Sequence, residues 1–317
     1  MRRLRTALAL IGPLVFAGLV VAALAWYMHG HTIAVLQPSG DVGRQERRLM
    51  DLAIILSIIV VVPVFALAIF IAWRYRETNP RPRKYQPDWD HSRVLETFWW
   101  GVPSIIIVVL SVVTWVSSYH LDPYKELSST KAPLHVQVVA MDWKWLFIYP
   151  EQHVASVNEL YMPVGQPVHF DITSDTVMNS FWIPSLGSQI YAMPGMSTKL
   201  HLVADKPGGY PGSSANISGR GFAGMTFMAK VGPQASFEKW IEHAQAGKRS
   251  LAMSDYDALA QPSTYNKVAY YSSVENNLYY ELVQKYMSHM KTPSQAPLLI
   301  QDDGMAQPDM NMMEHHH

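Results

Sequence analysis

The chain has 317 residues, 49% of them apolar and only 16% charged, with a formal net charge of zero and no cysteine. The charged share is well below the roughly 25% of ordinary globular proteins. With no net positive charge and no basic patch interleaved with aromatics, nothing in the chain addresses nucleic acid. The lack of cysteine excludes disulfides, thiolate zinc sites, cysteine nucleophiles, lipidation through a cysteine and every copper site that needs a thiolate.

The apolar excess sits in three blocks within the first 120 residues. Ala7 to Met28 follows Arg2, Arg3 and Arg5. Its basic start and the small residues near Ala23-Leu24-Ala25 fit a secretory signal. A run of about 20 apolar residues also suffices to span a bilayer, so residues 1–31 are read as a signal peptide or a first transmembrane segment. His29 and His31, two apart near a membrane face, are weak evidence for a metal. The second block, Leu52 to Trp73, holds one proline, Pro63, which neighbouring helices make tolerable in a span. The third, Phe98 to Ser117, opens on Trp99 and Trp100, a pair suited to the membrane interface. Together they predict a transmembrane hairpin within 32–120. The stretch between them carries Arg74, Arg76, Arg81, Arg83, Lys84 and Arg93, and short loops rich in Lys and Arg stay in the cytoplasm. The second segment therefore runs inward and the third outward, placing everything after about Tyr119 on the outer face.

Residues 121–232 change character. Runs such as His135-Val136-Gln137-Val138-Val139, Pro167 to Ile172 and Thr198 to Leu202 alternate with period two and are split by Pro and Gly. Many short strands at this spacing predict a β-sandwich. His135, His153, His169 and His201 fall in this region and are read as satisfied surface or core histidines. Residues 233–291 return to helix-compatible spacing, around Ser236 to Ile241 and Tyr279 to Met290, and predict a helical arm. Residues 292–317 lack periodicity and are expected to be disordered. Their methionines (Met305, Met310, Met312, Met313) and His315 to His317 are read as a flexible tail, the histidines as native or a tag.

Asp142 to Pro150 (Asp-Trp-Lys-Trp-Leu-Phe-Ile-Tyr-Pro), Ser180 to Gly187 and Ile190 to Met196 occur in that order after two apolar spans. In this arrangement the chain resembles subunit II of the haem-copper oxidases, over about Thr32 to Met290. The resemblance implies a membrane-anchored cupredoxin-like β-sandwich. It leaves open whether Trp143 and Trp145 of the aromatic strand carry electrons or simply line one face of a half-buried strand.

Copper-bearing members of that family hold a copper pair with a His ahead of the Ser-Phe/Trp-x-x-Pro run and a Cys-x-Glu-x-Cys-x-x-x-His-x-x-Met loop. On that spacing the first His position holds Asn179, and the loop positions hold Ser214, Asn216, Ser218, Phe222 and Met225. Only the methionine remains, and serine hydroxyls are poor copper ligands at neutral pH. Loss of the ligands with retention of the loop is similar to the quinol oxidases of the cytochrome bo type. The resemblance then implies a subunit of a proton-pumping complex that oxidises ubiquinol and reduces oxygen to water. It further implies no redox metal in this chain, haems and copper in a partner subunit I, and subunits III and IV beside it. It places the β domain on the periplasmic side of the bacterial inner membrane, with the lipid bilayer and quinol pool as surroundings and no cytochrome c as partner. Such subunits commonly carry a lipidated cysteine, and this chain has none. Glu96, at the cytoplasmic start of the third segment, is implied to lie near the mouth of a proton channel of the large subunit; without the resemblance it is a solvated helix start favoured by the helix dipole. The competing class is a membrane-tethered binding or sensor protein on the same fold.

Overall fold

In the computed structural model, residues 33–76 and 91–287 are described, with positions 19, 22, 23, 26 and 27 in isolation before them. The expectations for the first apolar segment, for Arg81, Arg83 and Lys84, and for the tail after residue 291 lie outside the described residues.

Two long helices come first: α1 (Asp41–Arg74) and α2 (Arg93–His120). At 1.5 Å per residue the 34 residues of α1 run about 51 Å, while a bilayer's hydrocarbon core is about 30 Å thick. The excess is visible in the sequence of α1, because Asp41, Arg44, Glu46, Arg47, Arg48 and Asp51 precede its apolar run. Those first turns stand outside the hydrocarbon. Beyond them both helices expose large apolar side chains, Phe65, Phe70, Ile105 and Trp115 among them, faces that only lipid or other spanning helices can cover. Pro63 and Pro103 sit inside the two helices without ending them.

The emergent start of α1 is locked to the β domain. Gly43 N donates to Leu186 O at 3.0 Å, Ser39 N to Ser185 O at 2.7 Å, and Asp205 N to Ser39 O at 2.8 Å. The Glu46 carboxylate accepts from Ser188 N and Ser188 Oγ, and Arg44 pairs with Asp205. Gly187 (φ +97°) makes this approach possible, since a Cβ there would lie 2.6 Å from Gly43 N. The start of α1 and the end of α2, which leads into the β domain, therefore share one side of the membrane. That is the hairpin the arginine asymmetry predicts.

The β domain packs two sheets face to face. One has the order β12-β3-β2-β1-β5-β8 and the other β4-β10-β9-β6-β7. The strands are β1 (Leu134–Met141), β2 (Lys144–Tyr149), β3 (Val154–Val157), β4 (Glu159–Pro163), β5 (Val168–Ser174), β6 (Asn179–Ile183), β7 (Gly187–Ala192), β8 (Thr198–Leu202), β9 (Gly208–Ser214), β10 (Thr226–Gly232) and β12 (Ala269–Tyr271). β1 pairs parallel with β5 and antiparallel with β2. Alternate residues of these strands fill the space between the sheets: Val136, Val138, Trp145, Phe147, Phe170, Ile172, Phe181 and Phe227. Trp145 meets Phe181 edge-on with ring centroids 5.4 Å apart, a favoured aromatic geometry.

The C-terminal arm is more than helical. Besides α3 (Gln234–Gln245), α4 (Met253–Ala260) and α5 (Leu278–Met287), it supplies β12, which pairs antiparallel with β3, and a two-stranded sheet of β11 (Ser250–Leu251) and β13 (Ser273–Val274). Tyr270 and Tyr271, aromatic residues suited to strands, take up the open edge of β3. The arm then folds over the outer face of the first sheet. Leu146 and Ile148 of β2 pack there against Tyr256, Leu278, Tyr279 and Leu282 in a second core. Consequently β2 is buried on both faces.

Three polar anchors hold the arm. The fully buried Lys144 donates from Nζ to Leu259 O at 2.6 Å and Gln261 O at 2.8 Å. These carbonyls close the end of α4, where a cation is favoured by the helix dipole. Asp175 accepts from Tyr256 OH at 2.8 Å and Lys285 Nζ at 2.7 Å, while its backbone carbonyl accepts from Tyr286 OH. Glu159 of β4 accepts from Trp240 Nε1 at 2.9 Å, Tyr270 OH at 2.6 Å and Lys230 Nζ at 2.7 Å.

Candidate functional site

β6 begins at Asn179, β9 ends at Ser214, and the loop from Ala215 to Met225 returns the chain to β10. β6 and β9 are hydrogen-bonded neighbours in the second sheet, with Phe181 opposite Ser214, so side chains 35 positions apart in sequence meet at one end of the sandwich. Ser214 Oγ lies 3.1 Å from Asn179 Oδ1 and 3.1 Å from Asn216 O. Asn179 Nδ2 donates to Val177 O at 3.0 Å, and Asn216 Nδ2 to Met178 O at 2.9 Å. Ser218 Oγ is 3.9 Å from Met225 Sδ. Asn179, Ser214, Ser218 and Met225 are all buried. Five of the six expected positions thus converge into one uncharged, self-satisfied cluster. The sixth, Phe222, is half-buried on a single 3₁₀ turn, Phe222–Gly224, and joins the loop through its backbone.

The donor set does not fit a copper pair. It offers hydroxyls, amides and one thioether, where such a pair needs bridging thiolates and imidazole. Each amide or hydroxyl donor is already committed to a neighbour, and a buried polar group held in this way gains nothing by exchange for a soft cation.

Trp143 covers the loop from the other sheet. Its Nε1 donates to Ser218 O at 3.0 Å, and a Cβ on Gly221 would lie 2.3 Å from its ring. Its backbone takes φ 149°, a strained conformation for a non-glycine residue. Trp145, two residues on, is wholly buried in the inter-sheet core. The arm closes the same end, with Ser263 N donating to Asp142 O and Tyr265 standing against Gly224.

Glu96 lies far from this loop, 24 residues from the outer end of α2 and so about 36 Å along its axis. It occupies the first turn of α2, where Ser92 caps Leu95 N and the Glu96 carboxylate accepts from Ser92 N at 3.3 Å. His91 Nδ1 sits 2.6 Å from Glu96 Oε1. A carboxylate reaching back to the capping residue satisfies a donor that the helix start leaves open.

The sequence reading missed the arm's anchors, because Lys144, Glu159 and Asp175 look like any strand or turn residue. It also passed over His169 and His201. These face one another on β5 and β8, with His169 Nδ1 3.2 Å from His201 Nε2. His169 Nε2 is buried without a hydrogen-bond partner, so the expectation of satisfied histidines does not hold for it.

A membrane-anchored cupredoxin-like sandwich carrying a C-terminal arm defines a class, the second subunits of haem-copper oxidases. The family profile for the periplasmic domain of cytochrome c oxidase subunit II matches residues 113–231, and that for the aromatic-rich motif of these oxidases matches residues 245–290. The chain is 45% identical over 275 residues to the cytochrome bo(3) ubiquinol oxidase subunit 2 of Pseudomonas aeruginosa, covering 84% of this chain and 83% of that one. It is 45% identical over 292 residues to the ubiquinol oxidase subunit 2 of Acetobacter aceti, covering 92% and 94%. Among solved structures, the periplasmic domain of subunit II of the Bradyrhizobium japonicum cytochrome oxidase is similar over 37% of this chain and 96% of that one, at 25% identity and a TM-score of 0.34. The chain belongs to the subunit 2 family of the cytochrome bo(3)-type ubiquinol oxidases. It is a membrane subunit of such an oxidase complex, with its β domain on the periplasmic side.

Proposed function

We propose that this subunit serves its complex without a redox centre of its own, the electrons of ubiquinol passing within the membrane to haems and copper in subunit I. Its outer domain then contributes assembly and stability rather than electron entry, and neither cytochrome c nor another soluble donor docks on it. Subunits III and IV complete the complex around the exposed apolar faces of α1 and α2. The carrying observation is the loop itself, where Asn179, Ser214 and Asn216 spend their hydrogen-bonding capacity on one another and on nearby backbone. Oxygen consumption by the purified complex tests this reading. Rapid turnover is expected with ubiquinol as the sole donor and none with reduced cytochrome c; turnover with cytochrome c would sink it.

Glu96 is assigned to proton entry at the cytoplasmic face. Boundary carboxylates next to apolar spans often serve proton relays, and the His91 contact at 2.6 Å supplies a second titratable group at the same helix start. Glu96→Ala is expected to slow ubiquinol oxidation by about tenfold or more, less than the ~10²–10⁴-fold of a group that transfers the proton in the chemical step itself. Unchanged turnover and unchanged proton pumping in the assembled enzyme would remove the assignment.

A further inference from the structure

We propose that Glu126, His169 and His201 form a binding site for one divalent transition-metal ion of the Zn²⁺ or Cu²⁺ type on the outer face of this subunit. Ligand atoms of the three lie within 4.8 Å of one another. His169 sits on β5 and His201 directly opposite it on β8, while Glu126 lies on the segment that joins α2 to β1. The site borders a groove of 490 Å³ whose walls also include Asp41, Arg44, Pro123 and Asp205, so it lies where the linker meets the outer end of α1.

Three features separate this cluster from a chance meeting of side chains. The first is spacing. Two imidazole nitrogens bound to one tetrahedral ion at about 2.0–2.1 Å stand about 3.3 Å apart, and His169 Nδ1 and His201 Nε2 are 3.2 Å apart. The second is the far side of each ring. His201 Nδ1 is hydrogen-bonded to Pro123 O at 3.0 Å, and His169 Nε2 points toward Asp171 Oδ1 at 3.4 Å without yet bonding to it. A ligating histidine characteristically turns its other nitrogen to a backbone carbonyl or a carboxylate, which fixes its tautomer. The third is an unmet need. His201 Nδ1 can only donate to a carbonyl, which leaves Nε2 as a lone pair. If His169 Nδ1 carries the hydrogen, its buried Nε2 has no donor. If Nε2 carries it, two lone pairs face each other across 3.2 Å. A cation between the rings resolves both, with His169 Nε2–H then turned toward Asp171.

At His169 electrostatics favour a neutral ring. Burial lowers the His169 pKa, and His201, His135 and Lys199 push the same way against the pull of Asp171. Glu126 is exposed on the linker, so its carboxylate can close the remaining distance by a rotamer change. With three protein ligands, the fourth position is left to water. Binding there ties the linker to the sheet edge.

The test is Zn²⁺ titration of the chelator-stripped full complex in lipid nanodiscs, read by competition with a fluorescent chelator. The wild type, Glu126→Gln and His169→Gln are compared, which subtracts zinc held elsewhere in the complex or by the terminal histidines. One equivalent present in the wild type is expected to be lost in His169→Gln and weakened at least about tenfold in Glu126→Gln, ligand-sphere changes typically costing 10–100-fold. Since His169 is largely buried, His169→Gln alone risks misfolding. Glu126→Gln does not, and it decides the matter if the other variant fails to assemble. Identical stoichiometry and affinity in wild type and Glu126→Gln would overturn the proposal.

Discussion

Replacing Glu159 with alanine is expected to cost the outer domain about 1–3 kcal/mol of unfolding free energy, the usual loss when buried hydrogen-bond donors are left without their acceptor. The carboxylate is 4% exposed and collects three donors from three elements: Lys230 on β10, Trp240 on α3 and Tyr270 on β12. Alanine leaves the indole N–H and the phenol without an acceptor and Lys230 without its counter-charge. Tyr270 and Trp240 are also the points at which the arm grips the sandwich, so the arm should loosen first. Denaturant unfolding of the full-length subunit, followed by tryptophan emission, measures this; a loss under about 1 kcal/mol would mean that the cluster is not an anchor. The same group gives a pH signature. Burial alone would raise its pKa, but the hydrogen bonds from Lys230, Tyr270 and Trp240 outweigh burial and hold it below the ordinary glutamate value. A depressed folded pKa means that the unfolded chain binds the proton more readily. The stabilisation is therefore complete above the ordinary glutamate value and is lost as pH falls below it, through the folded value. The wild type should lose stability across that acid window, and Glu159→Ala should lose less.

A chain carrying Asn179→His, Ser214→Cys, Asn216→Glu, Ser218→Cys and Phe222→His together is expected to gain a thiolate-bridged copper pair in this loop, which the unaltered loop does not hold, over and above any single ion at Glu126, His169 and His201. The backbone already brings these positions to one end of the sandwich, with Ser214 Oγ 3.1 Å from Asn179 Oδ1 and Ser218 Oγ 3.9 Å from the retained thioether of Met225. What is missing is ligand softness, and two thiolates with two imidazoles supply it. Elemental analysis and visible absorption after Cu²⁺ reconstitution provide the readout, with intense thiolate-to-copper bands expected. A control that restores the histidines and glutamate but keeps Ser214 and Ser218 should show no thiolate-to-copper bands. If the fully substituted chain folds and still binds no copper, the loop has lost the geometry as well as the ligands, and these are not the vacated positions.

The residues speak unevenly for the structure they build. The spanning hairpin was readable because lipid demands contiguous apolarity and the arginines flanking the cytoplasmic turn set its direction. The sandwich was readable from its period-two runs. The loop's lack of copper-binding chemistry was readable because a copper pair needs particular donor atoms at fixed spacing, and none of Asn179, Ser214, Asn216, Ser218 and Phe222 offers a thiolate or an imidazole. Other features depended on what long-range folding places side by side. β2 alternates like a half-buried strand, yet all six of its residues are buried, because the arm covers its outer face. Lys144 reads as a surface lysine until the end of α4 arrives to accept its protons. Glu159 and Asp175 carry no local mark of the partners that reach them from 70 or more positions later. His169 and His201 lie 32 positions apart, and only the antiparallel pairing of β5 with β8 brings their rings together, edge to face. The sequence by itself determined what faces lipid, which strands form and which donor types the chain lacks, because these rest on composition and spacing along the chain. The tertiary structure alone decided which polar groups meet in the interior, because a hydrogen bond or a metal site depends on distances of a few ångströms between distant segments.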